Sequence, residues 1–334
     1  MTLTFGVIGA GRIGKVHAEN LVTRVGDVEV LAVADVVEAS AKELSRRLRI
    51  PKSTANYQDI LNDPEINAVA ICSATDTHAQ IIEEAALAGK HIFCEKPIAF
   101  SVERIDAALK TVEKAGVKLQ IGFNRRFDPN YARVKQAISS GEIGDLHILH
   151  IISRDPSPPP ISYVKVSGGL YLDMAIHDFD MARFLTGSEA TEVYSVAGVK
   201  VDPAIGEAGD IDTAFTVMKF ANGVTVTIDN SRKAVYGYDQ RVEAFGSGGA
   251  IATDNLYPNM ATISTGQHIR RDLPLNFFMQ RYVESYLIEM QAFVESVTQG
   301  KPLPVTGNDG RVPVIMALAA RQSYEQNRPV QVKV

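Results

Sequence analysis

Phe5-Gly6-Val7-Ile8-Gly9-Ala10-Gly11-Arg12-Ile13-Gly14 sets a G-x-G-x-x-G turn directly after a short apolar run. Beyond it Ile13, Val16, His17, Asn20 and Leu21 recur at helical spacing, so the glycines stand between a strand and a helix. Each glycine then has its own task. Gly9 permits the tight turn, Gly11 lets a pyrophosphate approach the backbone, and Gly14 lets the helix pack closely on the strand. The free N–H groups and positive dipole end of the helix would face the phosphates along Gly9, Gly11, Arg12, Ile13 and Gly14. His17 falls on the packed face and is expected to be structural.

The alternation continues. A strand from Val28 to Ala34 ends in Asp35, about 20 residues beyond the last glycine, where a carboxylate accepts both ribose hydroxyls. Val36 and Val37 follow, with no arginine to meet a 2′-phosphate, so the pattern favours NAD over NADP. The competing role for Asp35 is to cap a helix starting near Glu38. A strand from Ala68 to Cys72 leads into the turn Ser73-Ala74-Thr75-Asp76-Thr77-His78 and a helix to Ala88. Thr75 or Thr77 could cap that helix, whose N-terminus would point toward the same crevice and bring Ser73, Thr75 and His78 to the cofactor.

Ile92-Phe93-Cys94-Glu95-Lys96-Pro97 reads as the next buried strand, ending abruptly in an acid, a lysine and a proline. Open α/β sheets bind ligands beyond the carboxyl ends of their strands, which puts Glu95 and Lys96 at the cofactor and Lys96 at the chemistry. Pro97 stops the strand, since it offers no donor to a ladder. A helix from Ser101 to Ala115 and a strand from Lys118 to Gly122 complete a doubly wound parallel sheet of Rossmann type over residues 1–122.

From Phe123 to the end, residues 123–334, strict alternation gives way to an expected α+β domain with a large open, mainly antiparallel sheet, serving substrate binding and oligomerisation. A helix near Tyr131 to Ser139 and a strand from Leu146 to Ile152 precede the stiff loop Arg154-Asp155-Pro156-Ser157-Pro158-Pro159-Pro160. After Gly168-Gly169, one helix is expected to carry Asp173, His177 and Asp180 on the face opposite Leu172, Ala175, Ile176 and Phe179. Strands at Glu192–Val199, Thr213–Phe220, Val224–Asp229 and Arg241–Phe245 read as a meander, with Asn222-Gly223 as a hairpin turn. Tyr236-Gly237-Tyr238-Asp239 interrupts them. Helices near Phe278 to Thr298 and Arg311 to Gln326, then a short strand after Pro329, close the chain.

Composition narrows the function. At 334 residues the chain is long for one core, so two domains are expected. A net charge of -5 argues against nucleic acid, whose affinity comes from clustered Lys and Arg. No apolar run reaches the roughly 20 residues that span a bilayer, and the N-terminus enters a strand directly. The expectation is a soluble cytoplasmic protein without a membrane partner. Cys72 and Cys94 are read as free buried thiols, and neither lies in a ligand cluster, so no metal is expected.

Gly9 to Gly14, Glu95-Lys96-Pro97, and Asp173 with His177 together resemble the glucose-fructose oxidoreductase / inositol dehydrogenase / MocA-type family over essentially the whole length. The likeness is greatest to its bacterial inositol 2-dehydrogenases, through Gly122-Phe123-Asn124-Arg125-Arg126-Phe127-Asp128, Arg154-Asp155-Pro156 and Tyr236-Gly237-Tyr238-Asp239. The resemblance implies NAD-linked oxidation of a ring hydroxyl, such as myo-inositol to 2-keto-myo-inositol, a homotetramer, and a cis bond between Lys96 and Pro97. In that setting His177 is expected to take the hydroxyl proton and Lys96 to hold the oxygen. Asp173 would orient the substrate or the imidazole, and Arg126, Asp155, Asp180 and Tyr236 would meet the remaining hydroxyls. Asp155 stands where some inositol dehydrogenases have an amide, and Ala234-Val235 is an insertion, so the polyol is left open. The alternatives are a dehydrogenase of another inositol or an aldose, a non-catalytic NAD sensor, and an NAD-dependent glycoside-cleaving enzyme.

Overall fold

The computed structural model describes residues 2–334. Two compact units divide the chain: residues 1–127 with 284–314, and residues 128–283 with 315–334.

The first unit alternates strand and helix: β1 (Leu3–Ile8), α1 (Arg12–Thr23), β2 (Val28–Ala34), α2 (Glu38–Leu48), β3 (Lys52–Thr54), α3 (Gln58–Leu61), β4 (Ala68–Ile71), α4 (Thr75–Leu87), β5 (His91–Glu95), α5 (Val102–Ala115) and β6 (Leu119–Gly122). All pairings are parallel, in the order β3-β2-β1-β4-β5-β6. The order reverses between β1 and β4, which is where a doubly wound sheet opens its crevice. Strands such as β4 are buried on both faces, which is why they read as unbroken apolar runs rather than alternating ones. The helices are bounded by local chemistry. Ser101 caps α5 by accepting from the Arg104 N–H, and left-handed Gly116 ends it.

The core of this unit takes in a later segment. Phe293 packs edge-on to Phe5 and Phe93, at 6.0 and 6.1 Å between ring centroids. With Leu287, Met290 and Val294 it brings a helical face into the cluster around β1, β4 and β5. Each such buried side chain stabilises by roughly 1.5–3 kcal/mol relative to exposure.

The second unit begins with α6 (Pro129–Ser139), capped by Asp128, followed by β7 (Leu146–Arg154), α7 (Ile161–Val164), α8 (Gly169–Asp173), α9 (Ile176–Thr186), β8 (Ala190–Gly198), α10 (Pro203–Glu207), β9 (Thr213–Phe220), β10 (Thr225–Ser231), β11 (Asp239–Gly246) and β12 (Gly249–Ala252). Then come β13 (Thr262–Ser264), β14 (Ile269–Arg271), α11 (Phe278–Arg281), α12 (Val283–Thr298), α13 (Gly307–Gln326) and β15 (Val330–Gln331). The large sheet runs β12-β11-β7-β10-β9-β8-β15 and is antiparallel except between β10 and β7.

Four expectations are corrected here. The strands are not a simple meander, because β7 inserts between β10 and β11 and pairs in parallel with β10. The helix after Gly169 is two helices, broken at Met174-Ala175, so Asp173 closes α8 and His177 lies in the first turn of α9. The helix from Phe278 is likewise interrupted at Tyr282, and α13 begins at Gly307 instead of Arg311. The exposed hairpin of β13 and β14 gave no sequence signal, since its strands are too short for periodicity to register. Among the described residues no helix is long and apolar enough to cross a membrane.

The glycine turn supplies a stability test. A Cβ on Gly14 would lie 1.9 Å from the Gly9 carbonyl oxygen, backbone that cannot yield without moving α1 off β1. Gly14→Ala is therefore expected to cost about 1–3 kcal/mol or more, measured as a lowered midpoint in urea unfolding.

Candidate active site

The first unit builds a nucleotide cradle from its backbone. Gly9 has a φ of +103°, and a Cβ there would meet the Cys72 carbonyl at 2.5 Å, so this turn admits only glycine. Gly11, the N-cap of α1, differs: no protein atom lies within 4 Å of where its Cβ would be, and no side chain caps the helix. That open space beside unsatisfied N–H groups fits a pyrophosphate. Arg12 is exposed and Ile13 half-buried beside it. Asp35 stands at the carboxyl end of β2. Its Oδ2 accepts from the Ala10 N–H at 2.7 Å and its Oδ1 from the Val37 N–H at 2.8 Å, which fixes the carboxylate and leaves a lone pair on each oxygen for a ribose hydroxyl. Val36 and Val37 are exposed there, 89% and 57%, where a 2′-phosphate would need a cation. The residues present fit NAD.

Across the reversal point, α4 also begins without a side-chain cap. Ala74 is its N-cap, which corrects the assignment of that role to Thr75 or Thr77. Thr75 occupies the first helical position, while the Thr77 hydroxyl bonds the Ala74 carbonyl and the Ser73 hydroxyl, both at 2.7 Å. His78 is buried, with Nδ1 2.8 Å from the Pro97 carbonyl and Nε2 3.1 Å from that of Ser73. Burial holds this imidazole below its usual pKa against the pull of the two carbonyls. The neutral ring carries one N–H and donates to one carbonyl at a time.

Lys96 is half-buried at the end of β5, and its bond to Pro97 is cis, as the resemblance implies. The neighbouring Glu95 accepts from His17 Nε2 at 2.8 Å. Arg126 bonds Asp309 at 3.0 Å. Cys72 and Cys94 are free and buried, and burial pushes both thiols well above their ordinary pKa.

The second unit assembles its polar residues around a cation that sequence reasoning missed. Arg232, 2% exposed, follows β10 and lies 3.1 Å from Asp173 Oδ2, 3.8 Å from Asp210 Oδ2 and 4.0 Å from Asp155 Oδ2. Asp173 also accepts from the Tyr163 hydroxyl at 2.8 Å. Asp155 and Asp173 are thus brought together, and His177 is half-buried just past the break that ends α8. Asp180 is not on a solvated stripe. It is 1% exposed, because α9 is enclosed on most of its circumference. Tyr236 donates to Asp239 Oδ2 at 2.6 Å and stands 3.0 Å from Arg154, while Tyr238 packs edge-on to Tyr282. Burial alone would raise the Asp239 carboxyl, but bonds from Arg241, Tyr236 and Asn255 override it and bring the pKa to about 2.

These arrangements accord with the comparisons. The profile described as "Oxidoreductase family, NAD-binding Rossmann fold" matches residues 3–123, and that of the GFO/IDH/MocA C-terminal domain matches residues 131–252. The chain belongs to the GFO/IDH/MocA oxidoreductase family. It is 46% identical to the inositol 2-dehydrogenase of Rhizobium meliloti, across 99% of this chain and 100% of the relative. It is 44% identical to the myo-inositol 2-dehydrogenase of Thermotoga maritima, across 99% of each. The structure of scyllo-inositol dehydrogenase from Lactobacillus casei with bound NAD(H) and scyllo-inositol superposes with a TM-score of 0.93 at 32% identity, covering 99% of both chains.

The open cradle at Gly11 gives the nucleotide site its own test. Gly11→Ala meets no protein atom and is expected to leave the melting temperature unchanged while weakening NAD by roughly tenfold or more. Titration of NAD by fluorescence beside a melting curve checks both halves.

Proposed function

We propose that this protein oxidises a ring hydroxyl of an inositol with NAD, most directly myo-inositol to 2-keto-myo-inositol, with Lys96 and His177 acting on the same carbinol. The observation that carries the reading is the placement of Lys96 at the carboxyl end of β5, in a unit whose Gly11 cradle and Asp35 fit NAD. The inositol substrates named for the relatives support the choice of polyol.

NAD, held at the Gly11 turn and Asp35, would supply the hydride acceptor for the carbinol carbon. His177 takes the hydroxyl proton on a ring nitrogen as the carbonyl forms. The Lys96 ammonium holds that oxygen through hydrogen bonds and stabilises its developing negative charge. Asp173, held by Arg232 and the Tyr163 hydroxyl, orients the substrate and favours the charged imidazole. Around Arg232 stand three carboxylates, an excess of negative charge over the one guanidinium. Asp155 accordingly has acceptor capacity for ring hydroxyls, which is how a site rejects analogues lacking one. Arg126, Asp180 and Tyr236 are supporting groups here, given their bonds and burial. Scyllo-inositol is the second reading of the substrate, favoured by the ligand of the Lactobacillus casei structure.

The protein works in the cytoplasm, where NAD is available and buried thiols stay reduced, and it assembles as a homotetramer. Support for assembly lies on the open face of the large sheet. There the cross-strand pairs Val196–Phe215 and Ile148–Phe245, on either side of β10, are each about half exposed, two apolar spots suited to contact with a second copy.

Lys96→Ala is expected to lower kcat at least about 10²-fold while NAD affinity holds within about threefold; full turnover in this variant would end the assignment. NADH accumulating in step with a keto-inositol, read by nicotinamide absorbance, separates this activity from glycoside cleavage that recycles its cofactor. Phe215→Asp is expected to reduce the mass found by sedimentation; an unchanged mass would remove this face as the interface.

A further inference from the structure

The first unit contains a buried cluster for which the reaction just described has no use. His17 on α1 lies 2.8 Å from Glu95 Oε1 and 3.9 Å from Glu289 Oε1, and the three donor atoms fall within 4.8 Å of one another. Around them the walls are apolar: the His17 ring meets Phe93 edge-on at 4.8 Å and Tyr286 at 5.8 Å. Glu289 is fully buried, and neither of its oxygens has a hydrogen-bond partner in the protein; nor has His17 Nδ1. A second side chain, Gln120, lends only its amide, to the Glu289 backbone carbonyl at 2.9 Å.

Two carboxylates this close and this dry cannot both carry charge. Burial first, and the charge of Glu95 second, push the Glu289 carboxyl well above its ordinary range. Other titratable groups nearby do not relieve it. Burial first, then the charge of Glu95, pushes the Cys72 and Cys94 thiols up, and His78 is pushed down by its own burial. The proton therefore stays on Glu289, and Glu95 has the bond from His17.

We propose that His17, Glu95 and Glu289 are one proton-sharing unit and positioning device for Lys96: Glu289 stores a proton, His17 binds Glu95, and the cluster's single negative charge sits on the residue next to Lys96. This rests on the role given above to Lys96. Lys96 follows Glu95 directly at the end of β5, so the bond that holds the Glu95 carboxylate also holds the backbone from which Lys96 extends. Loss of the stored proton at alkaline pH would add a second charge in the same pocket and alter both the placement of Glu95 and the setting of Lys96.

Glu289→Gln keeps the neutral shape and cannot ionise. The infrared carbonyl band of a protonated carboxyl, present in the wild type at neutral pH, is expected to vanish in this variant. The alkaline midpoint of its kcat profile should move upward by about one unit or more. Stability supplies a second reading. A buried acid with a raised pKa costs nothing when both folded and unfolded states are protonated, and costs more as pH climbs past the ordinary value of 4.5. The melting temperature of Glu289→Gln should accordingly exceed that of wild type increasingly above that pH and converge with it below. His17→Gln leaves an amide donor for Glu95 without a ring proton. It is expected to lower kcat by about tenfold with the KM for NAD unchanged.

If both variants shift only the melting temperature, leaving the pH midpoint and the ratio of kcat to KM as in wild type, the cluster is structural and the proposal fails. One equivalent of zinc or manganese in the purified protein, lost in Glu289→Gln, would overturn it in favour of a metal site. Retained turnover in Lys96→Ala would instead remove the reading of Lys96, while the infrared band would still report whether Glu289 holds its proton.

Discussion

The segment Glu95-Lys96-Pro97 is clamped from two sides by buried histidines, and the first unit is arranged to make that clamp. His17, from α1, bonds the Glu95 carboxylate, and His78, from α4, bonds the Pro97 carbonyl. Each helix begins at one flank of the reversal between β1 and β4, so the two helices that open there without a side-chain cap also fix the backbone on either side of the lysine. Phe93, on the same strand, locks β5 into the aromatic cluster with Phe293. A flexible side chain such as lysine loses up to about 2 kcal/mol of rotamer freedom when ordered. Fixing its backbone on both sides reduces the freedom that this lysine retains.

Constraints of short range were the ones legible in the sequence. The three glycines announced their tasks because each task is a local steric requirement, and the positions their Cβ atoms would take agree: collision at Gly9 and Gly14, open space at Gly11. The parallel sheet was legible through unbroken apolar runs, and the open mixed sheet through alternation along β9 and β10. What escaped depends on partners far along the chain. Nothing in Asn230-Ser231-Arg232 reveals that this arginine will be buried among Asp155, Asp173 and Asp210. Nor does the apolar face of α12 reveal which core it joins, since Leu287, Met290 and Phe293 would serve a helix in either unit. The break between α8 and α9 escaped for another reason: Met174-Ala175 carries no glycine or proline, so the periodicity runs through it.

Buried charge is handled differently in the two units. In the second, Arg281 is 4% exposed and pairs with Asp128, a carboxylate that also caps α6, so one acid serves both a guanidinium and a helix end. Arg232 is matched by more acid than it can neutralise, with three carboxylates within 4.0 Å. Such a surplus destabilises a purely structural pair, because each uncompensated carboxylate pays desolvation. It suits a surface that receives hydroxyl donors, since the acceptors are already oriented. Asp173, whose two oxygens are held by Tyr163 and Arg232, is the clearest instance.

His17, Glu95 and Glu289 carry this contrast to its limit. Local chemistry, packing and hydrogen bonding agree through most of the first unit, and a sequence specifies its structure through such agreement. At Glu289 they disagree, for an ionisable group stands beside aromatic rings with no hydrogen-bond partner in the protein for either oxygen. An apolar residue of similar size would be more stable there. Of the buried polar atoms without a hydrogen-bond partner among the described residues of this unit, those of Glu289 alone belong to a carboxyl, and its neighbour His17 bonds the strand end that precedes Lys96.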